Sequence, residues 1–179
     1  MRIRTGPCCD NNNNNNNNNS NTVDARGLHG RSCRGGNGRS ARHHSLNDLV
    51  WRAMVKADIP ALKEPSGLLR TDGKRPDGVT LLPWKQGKCA TWDVTVSDTL
   101  AQSYVHETFQ TPGAAAEAAA ERKRNKYSSL SQSYLFVPIA AETMGAISKD
   151  GMDFLCELGR HNVQMTTARA PSSFSDYPF

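Results

Sequence analysis

From Leu46 the apolar residues keep a helical rhythm. Leu46, Leu49, Val50, Ala53, Met54 and Ala57 recur three and four positions apart, which lays them along one face of an α-helix. The spacing predicts a helix over 46–57, with Ser45 as its N-cap, Asp48 as a weaker relative of the capping box, and Pro60 as its stop. Further on the rhythm changes to two. Ala90, Trp92, Val94 and Val96 alternate with Thr91, Asp93 and Thr95, the pattern of a strand with one apolar and one polar face. An apolar run at 79–82 precedes it across a Gly-containing turn near 85–87, so the two runs predict a β-hairpin. A shorter strand is predicted at 67–70, followed by a turn at Thr71-Asp72-Gly73.

Residues 113–130 carry the strongest helical signal, because six of their first eight residues are alanine, the best helix former. Thr111 is placed to cap this helix, and Pro112 suits its first turn. Glu117 and Glu121 precede a basic C-terminal half, which complements the helix dipole. Residues 134–141 read as a buried strand in which Pro138 marks an edge or a bulge. A short helix is predicted over 153–159, with Gly159 as its stop, and residues 160–179 show no period. The order helix, strand, hairpin, long helix, strand, helix predicts an α/β (α+β) domain with one mixed sheet.

Composition adds boundaries to this picture. The chain has 179 residues and a formal charge of +5, enough for one domain with one ordinary core. Residues 1–44 hold seven Lys and Arg against Asp10 and Asp24, while 45–179 hold fifteen of each sign. The positive balance is therefore an N-terminal arm on a neutral domain, suited to phosphate contacts or else simply a basic tail without a fixed partner. The arm contains an Asn tract at 11–19 and a Gly-Arg-Ser run at 34–42, too polar to offset chain entropy, and is expected to be disordered. The division predicted is arm 1–44, domain 45–160 and unstructured tail 161–179. Five cysteines give no disulfide framework, and Cys89 and Cys156 are expected to be reduced and buried. No apolar run follows Met1-Arg2, and the run 135–141 is too short to span a bilayer. The expectation is an intracellular protein without a membrane partner; a DNA partner would favour the nucleus.

Two aspartates carry the candidate chemistry. A hairpin turning near 85–87 sets Asp77 across from Asp93 to within a few residues. Facing like charges destabilise a sheet, whereas a hard divalent cation such as Mg²⁺ favours paired carboxylate oxygens. Arg75-Pro76-Asp77-Gly78 is equally a good turn sequence. A slip of one residue would turn Asp93 toward the core.

With Pro76-Asp77 and Asp93-Val94-Thr95 in this element order, residues 23–160 resemble the PD-(D/E)xK, restriction-endonuclease-like nucleases. The nearer likeness is to the restriction-like endonuclease domain of non-LTR retrotransposons. The resemblance rests on Glu64-Pro65-Ser66-Gly67-Leu68, residues 72–78, Trp92-Asp93-Val94-Thr95-Val96, residues 123–127 and Glu142-Thr143-Met144-Gly145. It implies an α-β-β-β-α-β core in which Asp77 and Asp93 hold Mg²⁺ or Mn²⁺. The usual lysine two residues after the second acid is Thr95 here. In the retroelement branch a Lys-Tyr pair on the next helix supplies it, and Lys126-Tyr127 matches that pair, with Lys123 one turn earlier. Apart from the resemblance, Lys126 reads as a solvated basic helix end. Glu64 is a further candidate at the metal site or a surface charge, and Glu142 reads as an exposed cap or turn residue. Relatives also carry a zinc knuckle ahead of the nuclease. His29 and Cys33 match its second half as Zn²⁺ candidates, while the Asn tract separates them from Cys8 and Cys9. His43 and His44 read as arm contacts rather than ligands.

The resemblance implies a metal-dependent DNA endonuclease derived from a retroelement, with RNA as an alternative partner. The competing reading is a catalytically inactive nucleic-acid-binding remnant, consistent with Thr95 and the split knuckle.

Overall fold

A computed structural model of the protein describes residues 37–68 and 73–169. The zinc candidates His29 and Cys33, the Asn tract and the predicted turn residues Thr71 and Asp72 lie outside the described residues. The elements run in the order α1 (Asn37–Lys56), β1 (Ala61–Lys63), β2 (Gly78–Lys85), β3 (Lys88–Ser97), α2 (Val105–Gln110), α3 (Ala114–Lys126), β4 (Leu135–Glu142) and α4 (Lys149–Arg169). One four-stranded sheet has the order β1-β2-β3-β4. Its β1–β2 and β2–β3 pairs are antiparallel and its β3–β4 pair is parallel. The fold is thus a mixed α/β domain with one mixed sheet.

The hairpin forms where the apolar pattern sets it. Gln86 and Gly87 both have positive φ, 51° and 71°, the conformation of a two-residue turn whose twist matches the flanking strands. Pro83 lacks an amide proton, and the ladder is irregular on both sides of it. The parallel β4 needs a crossover over the sheet, which α2 and α3 supply. β4 is an edge strand, as Pro138 requires, with Pro138 opposite Asp93.

Both faces of β3 are covered. On one face Ala90, Trp92 and Val94 join Val50, Met54, Val137, Ile139, Phe154 and Leu158 under α1 and α4. On the other, Ala116, Ala119 and Ala120 of α3 pack on Ala140. The alanine methyls let α3 lie close to the sheet, so the polar side of β3 is buried too: Thr91 is 0% and Asp93 3% exposed. Among the described residues no helix is long and apolar enough to cross a membrane.

Several boundaries differ from the sequence expectation. α1 starts at Asn37, inside the stretch assigned to the arm; its first turns are polar and leave no apolar rhythm. Glu64 takes φ 47° and turns the chain out of β1. Ser66–Leu68 is therefore a 3-10 turn rather than part of a strand at 67–70. α2 has no counterpart in the periodic reading. Thr111 caps the end of α2, its amide bonded to the Glu107 carbonyl, instead of opening α3. α4 continues through Gly159 to Arg169. Phe154, Leu158 and Asn162 follow one another at helical spacing, and Asn162 Nδ2 donates to the Ala53 carbonyl of α1 at 3.1 Å. Residues 161–169 therefore belong to the domain. Cys89 is half-buried and Cys156 is exposed, because Cys156 lies between the inward-facing Phe154 and Leu158 on the opposite side of the turn.

Candidate active site

The hairpin register decides where the acids go. Gly78 pairs with Trp92, so the next step along the ladder sets Asp77 beside Asp93. The Asp77 amide donates to the Trp92 carbonyl at 2.9 Å, and the Asp77 carbonyl accepts from Glu64 at 2.9 Å. The Asp77 carboxylate does not fold back on its own turn. Its Oδ2 accepts the Val94 amide across the hairpin at 2.6 Å, and its Oδ1 lies 3.3 Å from His43 Nε2 of α1. Asp93 points away from the Trp92 core and into the interface with α3, so the one-residue slip does not occur.

Helix α3 brings three side chains to these acids. Lys123 forms an ion pair with Asp93 Oδ2. That oxygen is buried, and the Lys123 ammonium acts on it through charge and hydrogen bonding together. Tyr127 is fully buried, with its ring 4.8 Å from that of Phe136. Its hydroxyl lies 2.9 Å from both Asp93 Oδ1 and the Arg75 carbonyl. Having one proton, it shares it between these two acceptors. Lys126 Nζ donates to the same hydroxyl at 2.7 Å and sits 4.3 Å from the ring centroid. The expected lysine is therefore displaced by one turn. Lys123 meets the carboxylate, and Lys126 contacts the Tyr127 hydroxyl that bonds it. Positions 123, 126 and 127 share a helix face, and of these Lys123 and Tyr127 contact Asp93 directly.

The electrostatics follow from burial. Burial pushes the Asp93 carboxyl above its ordinary range, and the Asp77 charge adds to this against the opposing pull of Lys123 and Tyr127. His43 is held above the ordinary histidine value by its hydrogen bond to Asp77, against a desolvation penalty. Asp93 thus faces the Lys123 ammonium and Asp77 the His43 imidazole.

The other candidates fall elsewhere. The Glu64 carboxylate pairs with Arg75 and is largely exposed, so Glu64 touches the site through its backbone alone. Glu142 is 5% exposed, not a surface residue. From the end of β4 its Oε1 accepts the amides of Ala115 and Ala116, at 2.9 and 3.3 Å. These are orphan donors of the α3 N-terminus, where Gly113 has φ 92° and offers no side-chain cap. Thr95 follows Asp93 on the same side of β3, with a hydroxyl in place of an ammonium.

His43 is the site residue the periodic reading passes over. Its signal was present: His43, Asn47, Val50 and Met54 follow at steps of four, three and four. The stripe that buries Val50 and Met54 continues through Asn47, which accepts from Trp92 Nε1 at 3.0 Å, to His43.

Among the described residues, no three His, Cys, Asp or Glu side chains converge as a ready-made metal cage. Mg²⁺ and Mn²⁺ do not require one, since two carboxylates with water and a phosphate complete their shell. Asp77 and Asp93 fit that role: they are hard oxygen donors side by side at the root of the hairpin, and the buried Asp93 Oδ2 already faces a cation, Lys123. Comparison with protein-family models and with curated proteins finds no match to the chain.

Proposed function

We propose that this domain is a metal-dependent DNA endonuclease of the restriction-endonuclease-like kind, derived from a retroelement. One observation carries the reading. Two acids that the sequence sets on a hairpin meet a lysine and a tyrosine from the following helix, around a buried carboxylate. Asp77 and Asp93 would hold Mg²⁺ or Mn²⁺, which polarises a phosphodiester and lowers the pKa of a bound water. The chain's own residues do the rest. Val94 and His43 fix the two oxygens of Asp77, and Tyr127 fixes Asp93 Oδ1. Lys123 supplies the positive charge that Thr95 lacks, placed to stabilise the pentavalent phosphate. Lys126 holds the Tyr127 hydroxyl. The basic N-terminal residues suit a DNA backbone, with RNA as the alternative, and a DNA partner would place the protein in the nucleus. Zn²⁺ at His29 and Cys33 belongs to the proposal only through the resemblance.

The inactive, nucleic-acid-binding remnant draws on Thr95 and on the engagement of Lys126 with Tyr127. A nicking assay on supercoiled plasmid separates the two readings. Metal-dependent nicking by the wild type, abolished in Asp93→Ala and reduced at least about a hundredfold in Lys123→Ala, supports the nuclease. A folded wild type that binds DNA but leaves the plasmid intact in Mg²⁺ and Mn²⁺ supports the remnant.

A further inference from the structure

The two acids and the charged groups facing them pose a problem in charge balance. Asp93 is 3% exposed, and Lys123 is the group that faces its buried Oδ2. A buried carboxylate oxygen without a donor is costly unless a cation faces it. The cation here is Lys123, on a side chain that is 24% exposed. Its flexible stem reaches in from α3, so the ammonium can leave into solvent without disturbing the helix. The Tyr127 hydroxyl bonds Oδ1, and His43 bonds Asp77. Lys126 is engaged at the Tyr127 hydroxyl and ring.

We propose that Lys123 is an internal stand-in for the divalent cation, and that the ammonium and the metal compete for Asp93 Oδ2. The proposal rests on the nuclease reading of the acid pair. Both cations need the lone pairs of Oδ2, and the ammonium already lies against that oxygen. Metal entry therefore requires the Lys123 ion pair to open. The lysine does two things in turn: it keeps the acid pair compatible with folding when metal is absent, and it is released beside the pair when metal arrives. A lysine that only stabilised the pentavalent phosphate would leave metal affinity untouched.

The test is Mn²⁺ binding in the absence of nucleic acid, read by the loss of the free aquo-Mn²⁺ signal in electron paramagnetic resonance. Wild type, Lys123→Met, Lys123→Arg, Asp93→Asn and the remote charge control Lys149→Met are compared after circular dichroism shows each is folded. Lys123→Gln replaces the Met variant if that does not fold. Removing the competing charge is expected to tighten Mn²⁺ binding by about fivefold or more, the lower end of ordinary coupling energies. Lys123→Arg and Lys149→Met should stay within about twofold of wild type on the same scale. Asp93→Asn should lose the site. If wild type binds, Asp93→Asn does not, and Lys123→Met is equal to or weaker than wild type, the competition is refuted while the metal site stands. If wild type and Asp93→Asn bind alike, the metal site falls and the competition with it.

Discussion

Gly78→Ala isolates a single contact at the root of the hairpin. A Cβ on Gly78 would stand 2.0 Å from Cζ2 of Trp92 and 2.4 and 2.5 Å from Cε2 and Cη2. Optimal carbon contacts are about 3.5 Å, so the indole would have to retreat by roughly 1.5 Å. It has nowhere to go: Trp92 is 0% exposed and its Nε1 is tied to Asn47. Overpacking of this kind costs about 1–3 kcal/mol, and loss of the indole hydrogen bond costs about 0.5–1.5 kcal/mol more. Elsewhere Gly→Ala stabilises by about 0.4–1 kcal/mol through the unfolded chain. The net expectation is a loss of about 2–3 kcal/mol, which for a domain this size lowers Tm by roughly 5–10 °C. Urea denaturation followed by circular dichroism measures it. A Gly78→Ala protein as stable as wild type, or more stable, would refute the reasoning. The double variant with Trp92→Leu provides a second check. With the ring gone the alanine should cost little, and a penalty that persists in that background would put the cause elsewhere.

Glu142→Ala should cost about 1–2 kcal/mol in urea denaturation, because two buried amides of α3 lose their acceptor; Glu142→Gln, which keeps an oxygen there, should cost less. Tyr127→Phe should cost about 1–2 kcal/mol by the same measurement, since Asp93 Oδ1 and the Arg75 carbonyl share its proton. Asp93→Asn should raise Tm at neutral pH. The Asp93 carboxyl is raised by folding, so its favourable contribution is present below the unfolded value and lost as pH rises through the folded one. The Tm advantage of Asp93→Asn should therefore shrink as pH falls toward about 4; an advantage that grew on acidification would overturn the assignment.

The hairpin and its acids were legible because alternation in β3 is strict and the turn is two residues long. The turn alone does not set the register at the acids: the Lys85–Lys88 pairing carried on regularly would bring Asp77 to Val96, and the irregularities around Pro83 shift the ladder so that Gly78 meets Trp92 and Asp77 meets Asp93. Burial of the polar side of β3 was not legible, since it depends on an alanine helix that begins only at Ala114, beyond α2. The choice between Lys123 and Lys126 was closed to the sequence for a related reason. Both share a face, and only the height of α3 over the sheet separates them. α2 and the far half of α4 carry too few apolar residues to show a period. Glu142 was misread because its partners are backbone amides, which leave no mark in side-chain pattern.

The placement of the acids also bears on the order in which the domain assembles. Asp77 and Asp93 belong to one local hairpin closed by a two-residue turn, a unit that forms in microseconds. Lys123 and Tyr127 reach them only after the crossover docks and the parallel β3–β4 pairing is made, a slow long-range closure. Before α3 docks, the hairpin has neither the ammonium nor the hydroxyl that face Asp93 in the folded domain, so docking of α3 is what completes the surroundings of the acid.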